Sequence, residues 1–130
     1  MKKYYTLLSI LAAAFILWVI YLANAGATSV FFSFIQHIPF GDKLGHFGLF
    51  GSLTLLVLAA TNGKSVGVCG QRCYIGSLII LLFVTAEEIS QLYIPSRTFD
   101  VFDWLADVAG ILGASLVYEL ALQMRTNSTS

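Results

Sequence analysis

The chain carries very little charge for its length. Charged residues make up only 11% of its 130 positions, while hydrophobic residues make up 58%. Because a soluble domain usually has about 25% charged residues, this composition predicts a membrane protein. The formal net charge is zero and no basic patch is present, so nucleic acid is excluded as an expected partner.

Cysteine is scarce as well, with two residues in the whole sequence. Cys69 and Cys73 are separated by three residues in a segment that contains no histidine. Since a structural zinc site normally needs four ligands, we interpret this pair as reduced thiols on the cytoplasmic side.

Four long apolar runs account for most of the chain. They cover residues 5–23, 44–61, 74–93 and 104–124. A helix needs about 17–25 residues to cross the hydrocarbon core, and unpaired backbone groups are too costly there for other conformations. We therefore predict an all-α fold, a bundle of four transmembrane helices. No internal repeat is visible, so residues 1–125 form one domain and residues 126–130 a polar tail.

The basic residues predict the orientation of this bundle. Five of them fall at one end of the predicted helices and two at the other; the five are Lys2, Lys3, Lys64, Arg72 and Arg125. The positive-inside rule then places both termini in the cytoplasm. The sequence Ala23-Asn24-Ala25 also resembles a signal-peptidase site. The preceding apolar run is long for a signal peptide, so we expect a retained helix, with cleavage as the alternative.

Acidic residues are few, but most of them lie in or beside the apolar runs. Six of the seven do so: Asp42, Glu87, Glu88, Asp100, Asp103 and Asp107. Charge inside hydrocarbon is costly and usually marks a functional site that faces the bundle interior. In the predicted topology all six lie near the outer ends of the helices, so we expect them to converge there.

Helical spacing indicates which of these side chains share a face. Asp42 and His46 are four residues apart, as are Glu87 and Gln91, so each pair forms a stripe. Asp100, Asp103 and Asp107 form another stripe if their helix begins by Asp100. Glu87 and Glu88 are about 100° apart around a helix, so we expect only Glu88 to face the cluster.

The same residues carry a resemblance to the VanZ-like family of small bacterial membrane proteins. The matching motifs are Asp42-Lys43-Leu44-Gly45-His46-Phe47, Glu87-Glu88-Ile89-Ser90-Gln91, Arg97-x-x-Asp100-x-x-Asp103 and Asp107-x-x-Gly110-x-x-Gly113. They lie in this order over residues 40–115. The family often has Asn where this chain has Asp107. The family is named for a protein associated with resistance to the glycopeptide teicoplanin. The resemblance implies a multi-pass protein of the bacterial cytoplasmic membrane that acts on the cell envelope.

These observations favour a site for a phospholipid or a lipid-linked envelope precursor at the outer leaflet. Arg97 offers a planar fork for phosphate, and a desolvated Glu88 or an oriented His46 suits acid–base chemistry. The predicted catalytic residues are Glu88, His46 and Asp103. The predicted substrate-binding residues are Asp42, Lys43, Glu87, Gln91, Arg97, Asp100 and Asp107.

Other functions fit the same residues. In the first alternative, the polar groups have no role other than to hold the helices together. Lys43 or Arg97 then pairs with the carboxylates, while His46 and Gln91 form hydrogen bonds across helices. A metal site would use His46, Glu88, Asp103 and Asp107, a mixed nitrogen and oxygen set. A proton-binding role is a further alternative, since buried carboxylates also mark transport paths. The sequence identifies no cofactor and no nucleophile.

Overall fold

A computed structural model describes residues 2–26 and 30–130 of the chain. Its helices are α1 (Lys2–Asn24), α2 (Val30–His37), α3 (Gly41–Ala60), α4 (Ile75–Ser90) and α5 (Val101–Ser128). Four segments are long and apolar enough to cross a membrane: Lys2–Asn24, Gly41–Ala60, Ile75–Tyr93 and Val101–Ser128. The prediction of four membrane-spanning helices is thus confirmed, while the orientation of the bundle stays a prediction.

The helix ends differ from the predicted ones mainly in α3 and α5. Helix α3 already begins at Gly41, which places Asp42 and Lys43 in its first turn. Helix α5 continues to Ser128, through most of the segment predicted as a polar tail. No proline or glycine follows Gly113 to interrupt it, and the Thr126 hydroxyl donates to the Leu122 carbonyl at 2.7 Å, as a helical residue can.

A β-hairpin joins α3 to α4, and the sequence analysis did not predict it. Strands β1 (Ser65–Val68) and β2 (Gln71–Tyr74) pair antiparallel, and Cys69 and Gly70 connect them with φ angles of 50° and 78°. Two successive residues with positive φ are typical of a tight type I′ hairpin turn. Both cysteines belong to the hairpin and both are free.

Helix α3 lies at the centre of the bundle and packs against α1, α4 and α5. The buried core consists of Ile16, Phe50, Leu53, Ile80, Val84 and Ile111. The α3 and α5 backbones touch at Gly51 and Gly110. A Cβ atom added to Gly110 would lie 2.5 Å from the Phe47 carbonyl oxygen. Small residues thus permit the close approach that membrane helices use for packing.

The connection after α4 folds back over the end of the bundle. A short 3-10 helix covers Gln91–Tyr93, and the chain then runs through Arg97 to Asp100. The Ser96 hydroxyl donates to the Asn24 carbonyl oxygen at 2.7 Å, which joins this connection to the end of α1. Polar residues of three helices and of this connection are therefore brought to one end of the molecule.

Candidate functional site

All ten predicted site residues lie together at this end of the bundle. With Asn24 they form what we call the polar end: Asn24, Asp42, Lys43, His46, Glu87, Glu88, Gln91, Arg97, Asp100, Asp103 and Asp107. The end of α1, the start of α3, the end of α4 and the start of α5 meet here. The expected convergence is present, whereas the chemical role of each residue stays a prediction.

Lys43 is held among three aspartates. Its Nζ atom lies 3.2 Å from a carboxylate oxygen of Asp42, of Asp100 and of Asp103. Asp100 also caps α5, since its Oδ1 accepts a hydrogen bond from the Phe102 amide at 2.9 Å. The Phe102 amide and the Lys43 ammonium together lower the pKa of Asp100 below its usual value.

His46 is paired with Asp107 on the facing helix. The His46 Nδ1 and the Asp107 Oδ1 are 2.8 Å apart, and Asp107 is fully buried. A carboxylate can only accept, so Nδ1 carries the hydrogen and Nε2 of a neutral His46 keeps its lone pair. Nε2 lies 3.9 Å from the Asp103 Oδ2. Asp42, one turn before His46 on α3, does not bond His46 but accepts a hydrogen bond from Lys43.

Glu87 and Glu88 are both buried at the polar end, with 9% and 1% of their surface exposed. Glu88 accepts from the Asp100 amide at 2.9 Å, and Glu87 lies 3.3 Å from the Arg97 Nη2. Gln91 Nε2 donates to both glutamates at 3.1 Å. The expectation that only Glu88 faces the cluster was wrong. The connection after α4 covers a second face of the helix end, so two neighbouring positions become buried.

In the described part of the chain Gln91 does not bond across helices, although the alternative with a purely structural polar cluster expects such a bond. Its two partners, Glu87 and Glu88, belong to the last turn of α4, which directly precedes Gln91 in the chain. The cross-helix ties come instead from Lys43, from His46 and from the amide of Asp100.

Arg97 connects α1 to α4 at the polar end. Its Nη1 donates to the Asn24 Oδ1 at 2.7 Å, while its Nη2 contacts Glu87. Asn24 was not among the predicted site residues, because in the sequence it forms part of the possible cleavage motif Ala23-Asn24-Ala25. A usable signal was present, since a polar side chain at the outer end of the first helix lies at the depth of the other polar residues.

The polar end has more negative than positive charge. Six carboxylates accompany only Lys43 and Arg97, which leaves an excess of four negative charges when every acid is ionised and His46 is neutral. Asp107 Oδ2 is buried and has no hydrogen-bond partner among the residues that the structure describes. Such an oxygen is costly unless a proton, a cation or a ligand group satisfies it.

A cleft of about 180 Å³ opens beside the polar end, between α1, α2 and α3. Most of its wall is apolar: Ile16, Val19, Ile20, Ala23, Ile35, Gly45, Leu49 and Phe50. Its polar lining consists of Asp42, His46, Glu87 and Arg97. The cleft therefore offers an apolar surface along the helices and hydrogen-bonding groups at one position.

The predicted metal set is only partly assembled. Glu88 is engaged by Gln91 and the Asp100 amide. The carboxylates that approach one another within 4.8 Å are those of Asp42, Asp100 and Asp103, and the Lys43 ammonium contacts all three. Among the described residues, Lys43 thus already supplies the positive charge of that acidic group.

Comparison with known proteins identifies the family of the chain. The model of the VanZ/LLP1 family matches residues 5–122. The chain belongs to the VanZ/LLP1 family. The match includes every residue of the polar end and all or most of each of the four apolar helices, so this VanZ/LLP1 protein is a multi-pass membrane protein. No curated protein and no solved structure matches the chain.

Proposed function

We propose that this VanZ/LLP1 protein binds a phospholipid or a lipid-linked envelope precursor in the cleft. We further propose that His46 serves as a general base toward the polar group of this lipid. The observation that carries the proposal is the cleft itself, whose apolar wall leads to a small polar lining. Sites for amphiphilic ligands have this composition, because apolar walls supply affinity and a few polar groups fix the orientation.

The cleft residues suggest how the two parts of such a lipid are recognised. An acyl or prenyl chain would lie along Ile16, Ile20 and Leu49, where its burial is favourable. A phosphate would bind the donors of Arg97 that Asn24 and Glu87 leave free, since a guanidinium has five.

The charge of the polar end predicts a preference among polar groups. Glu87 and Asp42 line the cleft beside Arg97, and carboxylates repel a bare anion. They attract ammonium groups and hydroxyl donors. A head group that combines a phosphate with an amine or with hydroxyls therefore suits the cleft better than a phosphate alone.

His46 is the residue best placed for acid–base chemistry. Asp107 fixes the ring through Nδ1, while the ring itself lines the cleft. A carboxylate that holds one imidazole nitrogen makes the other nitrogen a better base, as in hydrolytic enzymes. Nε2 can thus accept a proton from a hydroxyl, an amine or water bound in the cleft.

The side of the membrane follows from the basic residues. Five of the seven lie at the end of the bundle opposite to the polar end, which the positive-inside rule assigns to the cytoplasm. The polar end then lies at the outer leaflet of the bacterial cytoplasmic membrane. Binding or alteration of an envelope lipid there would change susceptibility to glycopeptides such as teicoplanin.

A comparison of the two histidines tests this proposal in cells. His46 lines the cleft, whereas His37 is exposed on α2, where its Nδ1 lies 2.6 Å from the Ser33 carbonyl oxygen. We expect His46→Gln to behave like the absence of the gene in teicoplanin susceptibility and envelope lipid composition, at an unchanged amount of protein. His37→Gln should behave like the wild type.

A structural role for the polar end is the second candidate. It is favoured by the protein partners that Lys43 and Arg97 both have. If His46→Gln fails to accumulate in the membrane, the structural role is supported. If it accumulates normally and leaves both readouts at their wild-type values, the proposed action of His46 on a lipid is wrong.

A further inference from the structure

Asp103 divides its two carboxylate oxygens between different neighbours. Oδ1 contacts the Lys43 ammonium at 3.2 Å, whereas Oδ2 faces the His46 Nε2 at 3.9 Å. A separation of 3.9 Å is too long for a hydrogen bond. Two ligand atoms that each lie about 2.1 Å from one metal ion are separated by at most about 4.2 Å, so this gap is wide enough for a shared cation.

The surroundings of His46 match those of a metal-binding histidine. Histidine ligands almost always donate their other ring nitrogen to a carboxylate or a carbonyl, which fixes the tautomer and turns the lone pair to the metal. Asp107 provides this interaction at 2.8 Å from Nδ1, and Asp107 is completely buried.

The charge beside His46 is not balanced by the protein. Lys43 and Arg97 offset two of six carboxylates, and the buried Asp107 Oδ2 has no partner within the described part of the chain. This unpaired oxygen is an observation separate from the acidic cluster. A cation or a proton close to the His46–Asp107 pair would satisfy it.

We infer that His46 Nε2 and Asp103 Oδ2 bind a divalent transition-metal cation, with Asp107 as the residue that positions His46. A ligand pair of one imidazole nitrogen and one carboxylate oxygen suits Mn²⁺ or Zn²⁺ better than Ca²⁺, which prefers oxygen ligands alone. The remaining coordination positions of the cation accept water or a ligand oxygen.

The cation site does not depend on a lipid. Because a bound cation takes the Nε2 lone pair, His46 serves as a base only in the metal-free protein, so the two roles of His46 are alternatives. Only one consequence rests on the proposed function, namely that the cation supplies the positive charge for a lipid phosphate in an otherwise acidic site. Cation binding is therefore measured on delipidated protein, and lipid retention is measured separately.

The test uses the full chain purified in detergent, titrated with Mn²⁺ and followed by electron paramagnetic resonance. We expect one bound Mn²⁺ whose pulsed spectra show coupling to an imidazole ¹⁴N nucleus. His46→Gln should remove the nitrogen coupling. Asp103→Asn should weaken binding at least tenfold, and Asp107→Asn about 10- to 100-fold, the usual effect of losing a partner of a ligand.

Asp42→Asn is the matched control, because Asp42 belongs to the same acidic group but is more exposed and, of the charged residues that the structure describes, contacts Lys43 alone. It should keep the nitrogen coupling and weaken Mn²⁺ binding far less than Asp103→Asn, because it removes a nearby charge but no ligand. The inference is overturned if the wild type binds no Mn²⁺ at millimolar concentration, if the bound ion shows no nitrogen coupling, or if Asp42→Asn weakens binding as much as Asp103→Asn. Gel filtration and circular dichroism of each variant establish that a loss of binding is not a loss of folding.

Discussion

At the scale of single residues, the polar end is built from side chains that serve two partners each. Asp103 contacts Lys43 with one oxygen and faces His46 with the other. Arg97 joins Asn24 to Glu87 in the same manner. Through such shared contacts, Lys43 and Arg97 together reach four of the six acids of the polar end.

Asp100 allows a prediction in which charge and helix capping are separated. Asp100→Asn keeps an oxygen that caps α5 but loses the charge that attracts Lys43, whereas Asp100→Ala loses both. We expect Asp100→Asn to lower the melting temperature in detergent at pH 7, and Asp100→Ala to lower it by a few degrees more.

The pH dependence of this effect follows from the lowered pKa of Asp100. Its ionised form stabilises the fold above the unfolded-state pKa of about 3.9, and this contribution is lost as the pH falls through the lower folded-state value. The difference between wild type and Asp100→Asn should therefore shrink below about pH 4. An equal difference from pH 7 to pH 3 would contradict the role of the charge.

The residues of the polar end were predictable from the sequence, but most of their partners were not. Depth in the membrane follows from helix length and rise, so Asp42, Glu88 and Asp107 were expected at one level. The hydrogen-bond and ion-pair partners of these residues depend on the path that the connection after α4 takes. No periodicity describes that segment, so the contacts of Arg97 and of the Asp100 amide appear only in the structure.

At the scale of elements, the long helices were predictable and the hairpin was not. Each membrane helix is marked by a run of about twenty apolar residues. In a membrane such a run forms a helix, because its backbone groups must be paired within the segment. The β-hairpin has four residues per strand, and its turn uses Cys69-Gly70 rather than the common Asn-Gly or Asp-Gly. Such a short segment gives little signal beside the apolar runs on either side.

The contact of α3 with α5 gives a prediction about stability. Gly110→Ala places a Cβ atom 2.5 Å from the Phe47 carbonyl oxygen and 3.2 Å from the Gly51 nitrogen, so the two helices must move apart. We expect a loss of about 1–3 kcal/mol, the usual cost of overpacking, in reversible unfolding measured in detergent.

Gly113→Ala is the control on the same helix, because a Cβ atom there meets nothing within 4 Å. It should be neutral or stabilise the protein by up to about 1 kcal/mol through its better helix propensity. Equal stability of the Gly110→Ala and Gly113→Ala variants would show that the close contact of the backbones has no role in the fold.

At the scale of the whole molecule, the two ends of the bundle differ in composition. The polar end combines six acids, Lys43, Arg97 and His46 beside the cleft. The opposite end carries the hairpin and five basic residues. At that end the Tyr74 hydroxyl donates to Glu119, the one acid outside the polar end. This asymmetry fits a protein that meets its ligand at one surface of the membrane.

The most direct test of the lipid site compares two glycines on α3. A Cβ atom added to Gly45 or to Gly48 meets nothing within 4 Å, but only Gly45 lines the cleft. Gly45→Leu therefore fills the cleft, whereas Gly48→Leu adds the same side chain to an exposed position. The measurement is the amount of lipid that co-purifies per protein, by mass spectrometry. We expect Gly45→Leu to lose most of the lipid that the wild type and Gly48→Leu retain. Equal retention of the same lipid by all three proteins would contradict the assignment of the cleft as a lipid site.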